Sequence, residues 1–451
     1  MDERTHRLYL ERAIANVGRT GPLWWALAMV LSVVVGAAVY AYAYQVQHGH
    51  AVTGVNHTIF WGIYIANFVF FIGISYGGAI TSAILRLTGA GWRAPITRIA
   101  EATAVVTLAV GAISVLIDVA RPDRMLNLFL YAQVGSPITW DWIAINTYLV
   151  GTLIFFYLPL IPDLGRFRDA LPARGLRRKL YAALALRWEG TLEQERWLLR
   201  ATLIMAVLII PLAISVHSVL AWLFAMTVRE GWHSTIFGPL FVMAAMLSGV
   251  AMVILVIAAA RKAYHLEPFI TRKHFRNLSY MLLALGAGYL YFMVAEYLTE
   301  GYTQTGETGD ILRALFIGSY APAFWTIVLG GLVFPLVLVA LPGRYLIARA
   351  SFASVLVIAA MWLKRYLIIL LPGITEPVSP LVLYRPTWVE LLITVGAVAA
   401  IPLGLMVLFA LVPVMSIHEL EEVEGVVVAP ATTAAYAKPM GAAVAYGDGD
   451  D

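Results

Sequence analysis

Ten apolar runs, each of about 18 residues or more, recur along the chain and are each long enough to cross a hydrocarbon core of roughly 30 Å. They fall at about 23–44, 58–86, 100–120, 140–161, 201–227, 237–260, 278–299, 320–341, 350–371 and 389–413. Each run is continuous and lacks period-two alternation, which excludes a membrane β-barrel. Composition agrees: 61% of residues are hydrophobic and 13% charged, against about 25% charged in soluble domains. The expected fold is all-α, a polytopic membrane protein of about ten transmembrane helices.

The cations order this array. If helices alternate in direction, 23 of the 31 Lys and Arg fall on one side, in the N-terminal segment and the segments after runs 2, 4, 6 and 8. Five fall on the other side. Cytoplasmic segments collect Lys and Arg, so both termini are expected in the cytoplasm of a multi-pass cell-membrane protein. The net charge of +4 then reflects topology and gives no reason to invoke nucleic acid. The first run lacks a small-residue cleavage pattern and reads as a retained helix. Residues 1–22 form a cytoplasmic segment and 23–415 the transmembrane domain, with a basic cytoplasmic loop at 162–200 suited to anionic lipid or a docking partner. Residues 416–451 read as a largely disordered tail, rich in Ala and Gly beyond residue 423.

The chain has no cysteine, so it offers neither a disulfide nor thiolates for an iron–sulfur cluster. Of its nine histidines only His217 lies well inside a run, with His57 and His233 at boundaries. A membrane haem normally needs two facing histidines. No haem, cluster or metal site of the chain's own is expected, and any metal centres are assigned to partners.

Against this background "MWLKRYLIIL", residues 361–370, is anomalous, because Lys364 and Arg365 stand in a hydrocarbon-spanning run. An unpaired charge there costs at least ~2.5 kcal/mol. Alternating topology places most intramembrane ionisable groups toward the outer face: Asp118 and Arg121, Asp141, His217, Glu296, the Lys364–Arg365 pair and Glu390. Each has an ordinary reading. Asp118 and Arg121 suit a helix-end ion pair, Asp141 an interfacial first-turn acid, His217 an interhelical hydrogen bond, and Glu296 and Glu390 interfacial positions. Lys364 alone can snorkel outward, but Arg365 points about 100° away around the helix. Their shared depth argues for a polar pocket. The expectation is that Arg365 pairs with Glu296 or Asp118, and that His217 and Lys364 are left to bind a ligand while Asp141 relays protons. "IFWGIYIANFVFFIGISYGGAI" adds aromatics, including Trp61, around Asn67, and Gly73, Gly77 and Gly78 read as packing positions. An aromatic-lined polar pocket suits a flat amphipathic headgroup such as a quinol.

Several phrases carry a resemblance: "GVNHTIFWGIYIANFVFFIGISYGGAITSAILRL", "SPITWDWIAINTYLVGTLIFFYLPLIPDLG", "SVHSVLAWLFAMTVREGWHSTIFGPLFV", "YAPAFWTIVLGG" and "YRPTWVE". Over about residues 50–420 the chain resembles the NrfD/PsrC superfamily of polysulfide-reductase membrane subunits, most closely those of alternative complex III. The resemblance implies two four-helix bundles with flanking helices. It also implies an exchangeable menaquinone or ubiquinone near the outer face, beside a ferredoxin-like iron–sulfur subunit and molybdopterin-family or cytochrome subunits of a respiratory or photosynthetic complex. Joined to the pocket read above, this leads to the expectation that His217 and Asp141 exchange protons and that His217, Lys364, Asp118, Glu296, Asn67 and Trp61 surround the quinone. Two positions depart from the alternative-complex pattern: Tyr76-Gly77-Gly78 stands for a His-Ala-Gly triplet, and Leu223 stands where an Asp is common. The alternative expectation is a structural or proton-conducting membrane anchor with no quinone site of its own.

Overall fold

The computed structural model describes residues 20–56, 59–119, 122–170, 175–227, 229, 231–232, 234–303, 308–371 and 384–424. The ten expected spans are ten helices: α1 (Pro22–His48), α2 (Ile63–Leu87), α3 (Ala94–Asp118), α4 (Pro137–Tyr157), α5 (Leu192–Ala225), α6 (Phe237–Ala263), α7 (Arg272–Thr303), α8 (Ala321–Ala340), α9 (Leu346–Leu370) and α10 (Trp388–Leu411). Local chemistry sets several starts. Proline opens α1, α3 and α4, where its missing N–H costs nothing. Capping boxes open α5, through Thr191 and Gln194, and α10, through Thr387 and Glu390. The middle of α8, Thr326–Val333, is wound as a π-helix ahead of Pro335, which has no N–H to give the helical ladder.

Helices α2–α5 pack as one bundle and α6–α9 as a second, joined where α2 lies along α6; α1 flanks through α10, which rests on α3. The most apolar stretch of α2 is 94% buried and that of α1 only 11%, so α2 is the axis of the protein and α1 faces lipid. Glycine makes that axis possible. A Cβ on Gly77 would come within 2.3 Å of the Gly249 Cα on α6, so only glycine at both positions lets the two backbones meet.

The two ends of the array differ. At the basic end, which carries the α2–α3 turn, Arg86 donates to Glu101 and to Glu419, each at 2.7 Å. Ser82 also donates to Glu101 and Thr97 to Glu419. Beside them the fully buried Arg98 pairs with Asp163 at 3.0 Å, and Asp163 accepts the His418 backbone N–H at 3.1 Å. Arg166 pairs with Glu421. These contacts hold a short helix, Ile417–Glu424, against the bundle. The sequence suggests a loose tail here; its carboxylates instead meet Arg86 and Thr97 of α2 and α3 and Arg166 of the helix Ile161–Ala170 that follows α4. Residues 425–451 lie outside the described residues.

At the opposite end, Glu390 accepts from the Tyr384 hydroxyl at 2.6 Å, the Gly54 N–H at 2.7 Å and the Thr387 N–H at 2.9 Å. Tyr384 in turn accepts the Ile63 N–H. Burial, and then the adjacent Glu390 carboxylate, push the Tyr384 hydroxyl well above its ordinary range and keep it a donor. Glu390, read above as interfacial, is fully buried and closes this knot.

Candidate functional site

Toward that same end, α2, α4 and α5 bring together a cluster of polar groups. His217, late in α5, is 1% exposed and neither ring nitrogen has a hydrogen-bond partner among the described residues. Its imidazole meets the Tyr76 ring of α2 edge-on, with centroids 4.6 Å apart. The Tyr76 hydroxyl is likewise buried and unpartnered among the described residues, and its ring packs edge-on against Tyr148 of α4 at 4.4 Å. Tyr148 shares a 3.1 Å hydrogen bond with Ser75. About two turns before Tyr148 stands Asp141, buried, with Oδ1 unpartnered among the described residues and its charge within electrostatic reach of the Tyr76 hydroxyl. Buried polar groups are almost always hydrogen-bonded, and here residues on three neighbouring helices each carry an atom with no partner among the described residues. A base, a phenol and a carboxyl so placed can bind a carbonyl or hydroxyl and pass its proton between them.

Aromatic rings close the site toward the end of the bundle. Trp61 stacks on Trp232 at 5.5 Å, and both meet Phe224 edge-on at 5.0 Å. Trp232 donates to the Ile368 carbonyl at 2.7 Å, tying the segment after α5 to α9. Phe241 of α6 lies 6.2 Å from the His217 ring.

Lys364 and Arg365 stand on the far side of Phe241, with Arg365 in electrostatic reach of His217. The ion pair expected for Arg365 is not formed: among the described residues no carboxylate lies within ion-pair distance of it. Its Nη1 donates to the Met361 carbonyl at 2.8 Å, its guanidinium lies over the Phe70 ring, and Nη2 passes Gly73, where a Cβ would come within 3.0 Å. Lys364 donates to the Tyr297 hydroxyl at 2.5 Å and is the cation in electrostatic reach of Glu296. Depth therefore matched, but azimuth assigned Glu296 to the lysine.

The other expected residues are spread around this core. Asn67 is spent on structure: its amide donates to Thr394 at 2.8 Å and its carbonyl accepts from Trp362 at 2.8 Å, clamping α2 to α10 and α9. Asp118, at the end of α3, offers its carbonyl to His50 at 3.0 Å and lies in electrostatic reach of Glu390, away from His217. Arg121 lies outside the described residues. The sequence reading passed over Tyr148, Tyr289 and Tyr297 as site residues; Tyr76, noted as a departure from a family histidine, was the one available signal. Among the described residues no three His, Asp or Glu side chains converge as a metal site.

Comparison with known proteins agrees with this architecture. The chain is 29% identical to a putative dimethyl sulfoxide reductase membrane subunit of Halobacterium salinarum, over 88% of this chain and 92% of that protein. It is 24% identical to an Hdr-like menaquinol oxidoreductase integral membrane subunit of Archaeoglobus fulgidus, over 88% and 96%. It is 22% identical to a selenate reductase subunit of Mesobacillus selenatarsenatis, over 86% and 93%. The family model described as "Polysulphide reductase, NrfD" matches residues 51–377, most of the chain, and the protein belongs to that family.

Proposed function

We propose that this chain is the quinone- or quinol-interacting membrane subunit of a respiratory or photosynthetic oxidoreductase complex, and that His217, Tyr76 and Asp141 form the headgroup site. The observation that carries the reading is the convergence of buried, unpartnered polar atoms from three helices: both nitrogens of His217, the Tyr76 hydroxyl and Asp141 Oδ1. A quinol oxygen supplies the missing partner, and aromatic residues Trp61, Trp232, Phe224 and Phe241 suit a flat ring. The imidazole takes or gives the proton that accompanies electron transfer, Tyr76 holds the oxygen by a hydrogen bond, and Asp141, just past the first turn of α4, passes the proton toward the end of the bundle. Menaquinol in the name of one relative supports the substrate class. With no thiolate available, electrons pass to clusters or haems of partner subunits, a ferredoxin-like iron–sulfur protein first, docked over the end of the bundle near Trp61. The 23-to-5 cation bias supports placing that end outside the cytoplasm.

The test is His217→Leu in the purified complex. The variant is expected to assemble with its partners while losing quinone-linked turnover and binding of a hydroxyquinoline-type inhibitor. Wild-type turnover and inhibitor sensitivity in that variant defeat the assignment and favour a membrane anchor without a quinone of its own.

A further inference from the structure

Within the second bundle, Lys364, Arg365 and Ile368 of α9 line a partly open cavity of about 10 Å³ together with Tyr289 of α7 and Leu240, Phe241 and Ala244 of α6. Space of that size takes one water-sized particle. Both cations are almost wholly buried, at 4% and 5% exposure. Neither has a carboxylate within ion-pair distance among the described residues. Glu296 is in electrostatic reach of Lys364 and offsets one positive charge. The second, on Arg365, is left over, and its Nη2 has no hydrogen-bond acceptor among the described residues. A guanidinium always carries its charge and cannot shed it to escape burial.

We propose that this cavity is a binding site for one small monovalent anion, a halide, with chloride the ordinary occupant. Three kinds of donor border it: the free guanidinium N–H groups of Arg365, the Lys364 ammonium hydrogens not given to Tyr297, and the Tyr289 hydroxyl. The remaining wall is hydrocarbon, which favours a weakly hydrated ion over fluoride. The volume is at the lower limit for one water, so a chloride of about 1.8 Å radius displaces the flexible Lys364 and Arg365 side chains slightly, whereas phosphate, sulfate and any carboxylate ligand are far too large. A neutral water satisfies the Nη2 donor but leaves the charge; an anion satisfies both. The site lies across Phe241 from His217, so its occupant also offsets the positive field of Arg365 at that imidazole.

The binding claim does not depend on the quinone reading and is tested without turnover. The full chain, purified in gluconate buffer, is titrated with sodium bromide while its thermal midpoint is followed, and crystals grown in bromide are measured at the bromine edge. Expected are a saturable rise in midpoint, absent with fluoride or sulfate, and one anomalous peak within hydrogen-bonding distance of Arg365. Ala244→Val, which fills the same cavity and touches no charge, removes both, as does Arg365→Gln. A cavity holding only water, a peak without the stabilisation, or an unchanged bromide response in Ala244→Val overturns the proposal.

Discussion

Replacing Glu419 by Gln tests whether the short helix at 417–424 is a structural clamp. The Glu419 carboxylate, with 4% of its side chain exposed, accepts from Arg86 at 2.7 Å and from Thr97 at 2.9 Å. The amide keeps an acceptor but loses the charge that strengthens both bonds. Arg86 retains Glu101, so the arginine is weakened rather than stranded. Breaking a buried pair outright costs about 3–5 kcal/mol, and the expected loss here is about 3 kcal/mol, the lower end. The pH dependence carries a second, sharper signature. Burial pushes the Glu419 carboxyl up, but Arg86 and Arg98, with the hydrogen bonds from Thr97 and Arg86, outweigh it and hold it below the usual range. A depressed carboxylate contributes stability that is fully present above the unfolded value of about 4.3 and is lost as pH falls through the lower native value. Equilibrium unfolding in mixed micelles should therefore show the wild-type advantage at pH 7 and its progressive loss below about pH 4. A difference under about 0.5 kcal/mol at pH 7, or one that ignores pH, refutes the clamp.

Gly77→Val forces a side chain into Gly249 at the α2–α6 crossing, and size-exclusion chromatography should show loss of monodisperse folded protein; recovery at wild-type yield contradicts the close approach. Asn67→Leu strands the Trp362 indole N–H, while Thr394 keeps the Glu390 carbonyl, so unfolding should become easier by about 1–3 kcal/mol. The 23-to-5 distribution of cations predicts that tags at residues 1 and 451 both report the cytoplasm, and protease access to either from outside sealed cells breaks that orientation.

Spans were legible because hydropathy acts residue by residue, whereas pairing depends on azimuth. The fifth run begins at 201 by hydropathy, yet α5 starts at Leu192, since a capping box and a polar first turn carry the helix beyond the apolar stretch. Depth, read from helix direction, puts Lys364, Arg365, Glu296, Asp118 and His217 at one level, yet Asp118 lies beside Glu390 instead. Depth does not say which faces which, because a single residue turns the side chain by about 100°. The basic-end network was invisible for another reason. Arg86 and Glu419 are 333 residues apart, and a short acidic segment before an Ala- and Gly-rich stretch has the composition of a tail until its partners are placed. Asn67 was misjudged by company: aromatic neighbours suggested a ligand, but Trp362 and Thr394 use both ends of its amide.

The buried arginines of the basic end and the buried His217 are therefore held differently, and the difference can be measured. At the basic end the buried arginines Arg86 and Arg98 meet carboxylates, and removing a partner should destabilise. Around Tyr76 the buried ring nitrogens of His217 have no hydrogen-bond partner among the described residues, and a buried polar group without a partner is a net cost of about 1–3 kcal/mol. Leucine at 217 keeps comparable volume, packs against the same Tyr76 and Phe241 rings, and removes two unsatisfied nitrogens. If the imidazole is present for chemistry alone, His217→Leu should raise the unfolding free energy of the isolated chain by about 1–3 kcal/mol while abolishing quinone-linked turnover of the complex. A structural histidine predicts the reverse sign, because its loss would break a contact that the fold uses. Unfolding of the variant beside wild type decides between them: a destabilised His217→Leu protein removes the physical ground for placing the site at α2, α4 and α5.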